Sequence, residues 1–209
     1  MNLTGSNEAD RIFAAGGDDT ISTGSGDDRV EANDGNDWVD LGDGADFVLS
    51  GRGSDTVFGG AGDDQITDVD NFTAGTENYL DGGDGNDVII GAFGSYTLIG
   101  GAGDDVLVGS FNDDLIDGGT GNDFISGGGG ADTLTGGLGD DTFLSADGGQ
   151  VTDFEDGLDN IDIGRGGIDD PNLIQIDQFG ADTTLSFADQ TMTLLNTDAS
   201  LIDVGDFLL

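Results

Sequence analysis

The chain has 209 residues, of which 44 are acidic and 4 are basic, so its formal net charge is −40. This charge excludes a nucleic-acid partner, because phosphate contacts require basic side chains and the few basic residues here are all arginine. The sequence has no His and no Cys, which excludes Ser-His-Asp catalysis, His-containing zinc sites and disulfides. A chain this acidic repels itself, and we expect it to stay open unless a cation completes its fold.

The beginning of the sequence, MNLTGSNEAD, contains neither a basic segment nor an apolar one. We therefore expect no cleaved signal peptide there. No apolar run approaches the roughly 18 residues that a membrane-spanning helix requires, so no membrane span is predicted.

A nine-residue repeat runs from Gly5 to Leu144, about two-thirds of the chain. Its clearest copy is Gly100–Val108 (GGAGDDVLV), which reads Gly-Gly-x-Gly-x-Asp, one residue, an apolar residue and one more. Gly on this period, with a single Pro in the chain, is typical of a turn repeat and not of collagen. Other clear copies are Gly59–Thr67, Gly82–Ile90, Gly118–Ser126, Gly127–Thr135 and Gly136–Leu144.

Asp recurs at the sixth position of the repeat. These aspartates are Asp10, Asp19, Asp28, Asp37, Asp46, Asp55, Asp64, Asp87, Asp105, Asp114, Asp123, Asp132 and Asp141. An apolar residue follows two positions later in each copy: Ile12, Ile21, Val30, Val39, Val48, Val57, Ile66, Leu80, Ile89, Leu98, Leu107, Ile116, Ile125, Leu134 and Phe143. The array contains a five-residue insertion, Asp68–Phe72, and two degenerate copies in which Asn78 and Tyr96 replace the Asp.

The repeat combines a tight turn with a short strand. Gly at the first, second and fourth positions permits positive φ, so that six residues can turn tightly with several carbonyl groups beside the Asp carboxylate. These are hard oxygen ligands suited to Ca²⁺, which takes about 6–8 of them, more than one turn supplies. Neighbouring turns must therefore share an ion. The remaining three residues form a strand whose apolar side chain is buried only when copies stack.

This pattern resembles the RTX (repeats-in-toxin) family, as in the C-terminal domains of serralysin-type proteases and haemolysin-type toxins. The resemblance implies an all-β, right-handed parallel β-roll in which two repeats make one coil and Ca²⁺ is bound between turns two repeats apart. The aspartates then form two columns. The first column is Asp10, Asp28, Asp46, Asp64, Asp87, Asp105, Asp123 and Asp141. The second column is Asp19, Asp37, Asp55, Asn78, Tyr96, Asp114 and Asp132, in which both degenerate positions fall. Adjacent Asp pairs predict about ten Ca²⁺ sites, if the insertion bulges out without switching sides.

Residues 145–209 lose the repeat, so we divide the chain into a β-roll over 1–144 and a C-terminal β-strand cap over 145–209. Val151–Ile163 resembles the segment that closes RTX arrays in secreted proteases. Strand-like runs follow at Leu173–Ile176, Thr183–Phe187 and Thr191–Leu195. The last residues, Gly205–Leu209 (GDFLL), are similar to the uncleaved signals that type I, ABC-transporter export machinery reads.

The outward residues on the first-column side are mainly apolar, which indicates a contact surface. Two interpretations stay open for this surface: the C-terminal segment folds back over it, or it mediates self-association or partner docking. The residues are Phe47, Leu49, Val88, Ile90, Val106, Val108, Phe124 and Leu144.

Paired acidic residues such as Asp18-Asp19 can suggest a glycosidase, but the same carboxylates are needed for Ca²⁺. The His-Glu-x-x-His zinc motif of the related proteases is excluded because there is no His. We therefore predict a non-enzymatic, secreted calcium-binding protein that folds on Ca²⁺ outside the cell. Its expected role is structural, as a homo-oligomer or filament in a surface layer or matrix. Two alternatives remain: a calcium-dependent binding module for a surface polysaccharide, and an accessory domain of a separately encoded secreted enzyme.

Overall fold

The computed structural model of the chain describes residues 1–69, 75–144, 148–163, 170–187 and 190–208. These residues form two β-sheets, one of 12 strands (sheet A) and one of 10 strands (sheet B), and contain no α-helix. Residues 70–72 of the predicted insertion, residues 73–74 of the next repeat, Arg165 and Leu209 lie outside the described residues. Within the described part, no helix is long and apolar enough to cross a bilayer.

The strands alternate between the sheets along the roll. Sheet A contains β1 (Asn2–Thr4), β3 (Thr20–Ser25), β5 (Trp38–Asp43), β7 (Thr56–Ala61), β9 (Glu77–Asp84), β11 (Ser95–Ala102), β13 (Leu115–Thr120), β15 (Thr133–Leu138), β17 (Gly149–Val151), β21 (Gln190–Leu194), β20 (Asp182–Phe187) and β19 (Gln175–Phe179), in that order across the sheet. Sheet B contains β2 (Arg11–Phe13), β4 (Arg29–Asp34), β6 (Phe47–Arg52), β8 (Gln65–Thr67), β10 (Val88–Ile90), β12 (Val106–Val108), β14 (Phe124–Ser126), β16 (Thr142–Leu144), β18 (Asn160–Asp162) and β22 (Phe207–Leu208).

Two nonapeptides make one coil, as predicted. Thr20 of β3 lies opposite Trp38 of β5, and Arg29 of β4 lies opposite Phe47 of β6, so each strand pairs in parallel with the strand two repeats away. Wherever the coil contains 18 residues, the register repeats from coil to coil and places equivalent positions in straight rows.

The core is the predicted apolar column. The side chain at the eighth repeat position of each strand points between the sheets because side chains alternate across a strand. The column from Ile21 to Phe143 is fully buried, and Ile12 packs against it at the N-terminal end. Five further residues at the first repeat position, where most later copies have Gly, widen this core in the N-terminal half: Ala14, Thr23, Ala32, Leu41 and Ser50.

The insertion does not switch the sides of the roll. β7 pairs directly with β9, and β8 pairs directly with β10. The residues facing each other across this step, such as Thr56 and Tyr79, are separated by 23 positions in place of 18.

The described C-terminal residues extend both sheets. β17 and β18 continue the parallel ladders, β19, β20 and β21 form an antiparallel end of sheet A, and β22 ends sheet B. The predicted β-strand character of the C-terminal segment is thus confirmed, and its division from the roll after residue 144 stays a prediction. These strands do not fold back over sheet B, where Ile90 and Val106 stay 38% and 36% exposed. The predicted strand Leu173–Ile176 is wrong at its start: Pro171–Leu173 is a 3-10 helix, since Pro fixes φ near a helical value, and the strand begins at Gln175.

Candidate metal centres

The aspartates of both columns lie at the inner side of the turns, each just before its strand. From Asp19 to Asp141 every predicted Asp is at most 5% exposed, whereas Asp10 in the first coil is half-buried. The stacking therefore brings together all predicted site residues, coil upon coil, in two rows of carboxylates that are buried except for Asp10. Whether each of them binds a metal ion stays a prediction.

One oxygen of each carboxylate is used by the protein backbone. The Asp87 amide donates to Asp105 Oδ1 at 2.7 Å, and the Asp105 amide donates to Asp123 Oδ1 at 2.8 Å. The same bond recurs along the first column from Asp10 to Asp141 and along the Asp19–Asp55 part of the second column. This bond fixes the carboxylate orientation and leaves its second oxygen for another partner.

The second oxygen is buried without a hydrogen bond in most of these residues. In the described part of the chain this holds for Oδ2 of Asp19, Asp28, Asp37, Asp46, Asp55, Asp64, Asp87, Asp105, Asp123 and Asp132. A buried, unpaired carboxylate oxygen is costly and rare in folded proteins. Repeated in register, it indicates a missing cationic partner, and carboxylate oxygen is a preferred ligand of Ca²⁺.

The glycines of the turn keep backbone oxygens close to these carboxylates. Gly101 and Gly103 have φ of +112° and +135°, which side chains rarely tolerate. A Cβ on Gly101 would also collide with the Gly83 carbonyl oxygen of the neighbouring coil. A Cβ on Gly100 would collide with Oδ2 of Asp105. The space around each free oxygen is therefore kept open for a small ligand.

Within the described residues, no three acidic side chains converge on one point. A cation between two coils would therefore depend on backbone carbonyls for the rest of its ligands. Such a donor set, rich in neutral oxygen, suits Ca²⁺ and not a thiolate- or imidazole-binding metal.

Burial dominates the electrostatics of the columns. It raises the pKa of Asp55, Asp64 and Asp105 to about 7, and that of Asp46 and Asp87 to about 6, from 3.8. Repulsion from nearby carboxylates, inside and outside the columns, raises these pKa values further, and the backbone hydrogen bonds lower them. A divalent cation would offset both the burial and the repulsion.

The second column is interrupted by a hydrogen-bonded plug made of Asp68, Asn78 and Tyr96. The Tyr96 hydroxyl donates to Asp68 Oδ2 at 2.5 Å, and Asn78 Nδ2 donates to the same oxygen at 3.0 Å. Asp68 is 2% exposed and occupies the first repeat position, where the preceding copy has Gly59 and the following clear copy has Gly82. Protein donors thus occupy the carboxylate oxygen that a cation would otherwise contact.

In two other turns, the Oδ2 of the column Asp is not free, because a backbone amide of the same turn donates a hydrogen bond to it. The Ser110 amide donates to Asp114 Oδ2 at 2.6 Å, and the Ser6 amide donates to Asp10 Oδ2 at 2.6 Å. At the N-terminal end the terminal amine of Met1 pairs with Asp19 Oδ1.

Asp159 is a further column residue that the sequence reading missed. It is 4% exposed, and its Oδ1 accepts the Asp141 amide at 3.0 Å, so it extends the first column by one coil. Its Oδ2 accepts the Glu155 amide at 2.8 Å. The signal was its distance of 18 residues from Asp141, with Ile161 following two positions later.

A second ladder lies outside the columns, at the fifth repeat position. Asp104 Oδ1 accepts the Asn122 amide at 2.8 Å, and Asn122 Oδ1 accepts the Asp140 amide at 2.8 Å. These side chains are exposed and bond to the following coil, whereas the buried column bonds to the preceding one. The paired acidic residues therefore have different roles: the first links the turns, and the second carries the free oxygen.

The geometry defines a parallel β-roll whose turns present buried oxygen ligands in register. A family model, the RTX calcium-binding nonapeptide repeat, matches residues 4–39, 40–67, 75–98, 81–116, 97–125 and 108–143. Because these matches cover more than half of the chain, the chain belongs to the RTX calcium-binding nonapeptide repeat family, whose repeats bind Ca²⁺. The matching family is a binding repeat and not a catalytic family.

Among solved structures, the chain is similar to the extracellular lipase LipA from Serratia marcescens, at 17% sequence identity and a TM-score of 0.28. The match covers 95% of this chain and 40% of the lipase chain. No curated protein matches the chain.

Proposed function

We propose that the chain is a secreted, non-catalytic calcium-binding β-roll that folds on Ca²⁺ outside the cell and then assembles with further copies of itself as a structural material. The observation that carries this proposal is the register of free, buried Oδ2 atoms in the two columns. A metal-free roll would bury this unpaired charge, whereas an open chain would keep it in water.

Calcium acts on folding through mass action. A ligand that binds only the folded chain stabilises it by about 2.7 kcal/mol per site at 100 times the dissociation constant. We place the ions between carboxylates of consecutive coils, about ten in all at the millimolar affinity of extracellular sites. Low calcium inside a cell would leave the chain open for export, and millimolar calcium outside would fold it.

The C-terminal segment fits this direction of export. Asp206 and Phe207 of this segment are at most 8% exposed, and Phe207 pairs with Ile161 in sheet B, so an ABC-type exporter could contact these two residues only in the open chain. Folding outside the cell would then bury these two residues of the export signal. Deleting this segment should abolish export by a type I system and leave calcium binding by the roll intact.

The outer face of sheet B supports self-assembly. Ile90 and Val106 are 38% and 36% exposed on this face, in register with the half-buried Val88 and Val108. An exposed apolar face promotes association between copies.

Sedimentation velocity with and without about 5 mM Ca²⁺ tests the proposal. We expect an expanded monomer to become compact and then to form large assemblies. Val106→Asp on sheet B should prevent assembly, whereas the matched change Thr133→Asp on sheet A should not. A compact monomer at every concentration would refute the structural role, and no response to Ca²⁺ would refute the proposal as a whole.

A further inference from the structure

An aromatic strip crosses the outward face of sheet A. It consists of Trp38 on β5, Phe58 on β7 and Tyr79 on β9. The ring centroids of Trp38 and Phe58 are 6.0 Å apart, and those of Phe58 and Tyr79 are 5.7 Å apart. Trp38 is 39% exposed and the other two rings are half-buried. The core of the roll does not use these rings, because they point away from it.

Two carboxylates flank the strip. Asp40 and Asp81 lie opposite Phe58 on its two neighbouring strands and on the same face of the sheet. Since adjacent strands are about 4.8 Å apart, the two residues are separated by about 10 Å, with the rings between and beside them. The Tyr79 hydroxyl donates to Asp81 Oδ2 at 3.2 Å, while Asp40 accepts no hydrogen bond from a described residue.

On sheet B, a comparable pair of an aromatic ring and a carboxylate contacts an arginine side chain. There the Arg29 guanidinium lies 4.3 Å from the ring centroid of Phe47 on the next strand, and its Nη2 is 2.8 Å from Glu31 Oε1. Arg29 and Phe47 occupy the seventh repeat position and Glu31 the ninth. Sheet A has aromatic rings and carboxylates at the same two positions, with Trp38 and Tyr79 at the seventh and Asp40 and Asp81 at the ninth.

The chain does not place its own cation on the strip within the described residues. Arg11, Arg29 and Arg52 all lie in strands of sheet B, and the chain has no Lys. With a net charge of −40, the surrounding surface attracts cations and repels anions.

We infer that the aromatic strip, together with Asp40 and Asp81, binds arginine side chains of a basic partner polypeptide. Arginine fits better than lysine because its planar guanidinium stacks on an aromatic ring and bonds a carboxylate at the same time. Trp offers the strongest ring face for a cation, and Trp38 is the most exposed ring of the strip. The inference requires the folded sheet A but not self-assembly through sheet B.

Trp38 is the single Trp of the chain, so its fluorescence reports on the strip directly. The full chain in about 5 mM Ca²⁺ and about 0.15 M NaCl is titrated with a Gly-Arg repeat peptide and with matched lysine and citrulline peptides. We expect a saturable change of Trp38 emission with the arginine peptide, a weaker one with lysine and none with citrulline.

Variants separate the site from general charge attraction. Tyr79→Ala and Asp40→Asn should each weaken arginine-peptide binding by about threefold, and Tyr79→Phe should retain most of it. Asp140→Asn, which makes the same change of charge in an exposed turn, should leave binding unchanged. Circular dichroism at the same calcium concentration verifies that each variant is folded.

Several results would overturn the inference. Equal losses for Asp40→Asn and Asp140→Asn, or equal binding of both cationic peptides with no effect of Tyr79→Ala, would mean unspecific polyelectrolyte attraction. Absence of any Trp38 response would mean that the strip is not the site. If copies instead associate through the strip, Trp38→Ala would abolish association in sedimentation and the peptides would not compete, making a second copy the occupant.

Discussion

The first column of aspartates runs through the roll without a break, whereas the second column is interrupted by the plug of Asp68, Asn78 and Tyr96. On both sides the coils keep the same parallel register across this level. Stacking therefore does not require a free carboxylate in every turn. Stacking requires that a buried carboxylate oxygen have a partner. In the plug this partner is a hydrogen-bond donor of the protein, whereas in the first column the free oxygen is available to a cation.

The two regions should consequently respond differently to calcium. Each bound ion makes the free energy of unfolding rise by about 1.4 kcal/mol per tenfold increase in free Ca²⁺. The hydrogen bonds of the plug make no such contribution. The slope of stability against the logarithm of the calcium concentration therefore distinguishes a cation site from a protein-only substitute.

The largest effect is expected from Asp105→Asn in the first column. This change removes the charge of a carboxylate that is 1% exposed and whose Oδ2 has no hydrogen bond. We expect a loss of about 2.7 kcal/mol for each ion no longer bound at saturating Ca²⁺, and a shallower calcium slope. Urea unfolding over a calcium series and calorimetric stoichiometry measure both quantities.

Asp104→Asn is the matched control for that variant. It makes the same change of charge one residue earlier, at an exposed position, and Asn keeps the oxygen that accepts the Asn122 amide. Its effect should stay within about 0.5 kcal/mol, as for most surface substitutions. If both variants lose the same stability and the same slope, the buried column does not hold the ions.

Tyr96→Phe should give the next largest effect. It removes the hydroxyl that donates to Asp68 and accepts the Ala92 amide at 3.0 Å. Hydrogen bonds to charged groups are worth about 1.5–3 kcal/mol, so we expect a loss in this range that is equal at low and high Ca²⁺. A loss that grows with calcium concentration would show that the plug itself holds an ion.

Replacing all three residues of the plug by the consensus residues of the repeat tests whether the second column can bind calcium as the first column is expected to. In Asp68→Gly/Asn78→Asp/Tyr96→Asp the second column would regain its carboxylates and its glycine. We expect a higher calcium stoichiometry and a steeper calcium slope than in the parent chain, with lower stability in the absence of Ca²⁺. An unchanged stoichiometry by calorimetry would mean that adjacent column carboxylates are insufficient to make a site.

Acid should partly replace calcium in the first column. Burial raises the pKa of Asp64 and Asp105 to about 7 and that of Asp87 to about 6, from 3.8 in the unfolded chain. The metal-free folded chain thus binds these protons more tightly than the unfolded chain. This contribution to stability is fully present below about pH 3.8 and is lost as the pH rises through 6 to 7.

We therefore expect metal-free chain to gain strand signal in circular dichroism when the pH falls from about 8 to about 5. With calcium present the direction reverses, because Ca²⁺ needs the deprotonated carboxylates and is displaced by protons. If the strand signal instead increased with pH in metal-free buffer, burial would not be raising the pKa values of these aspartates.

The regular part of the fold is predictable because the repeat length sets the register. Once Asp28 and Asp46 are equivalent, the pairing of Val30 with Val48 and the burial of both follow from strand geometry. The predicted apolar column is accordingly the observed core. The sequence also predicts that the repeats after the insertion stay on the same sides of the roll as those before it. Asp64 and Asp87 lie in one column only if they do.

What the sequence reading missed depends on contacts between residues that no repeat relates. Asp159 keeps the regular distance of 18 residues from Asp141, but its turn begins with Phe154-Glu155 where the repeat has Gly-Gly, so the repeat pattern does not reveal it. Asp68 looked like part of an insertion, and its role is visible only once Tyr96 is seen to reach it. The aromatic strip likewise requires the Phe58 ring to lie near two strands at once.

The smallest effect is expected on the outer ladder, where Asp104→Ala removes the acceptor of the Asn122 amide. Water can replace this exposed partner, so the loss should be at most about 1 kcal/mol, and Asp104→Asn should restore it. The calcium slope should stay at the parent value in both variants, because the position bonds backbone and not metal. Urea unfolding at two calcium concentrations measures this. A reduced slope in Asp104→Ala would mean that the outer carboxylates also hold ions, and the distinction between exposed ladder and buried column would fail.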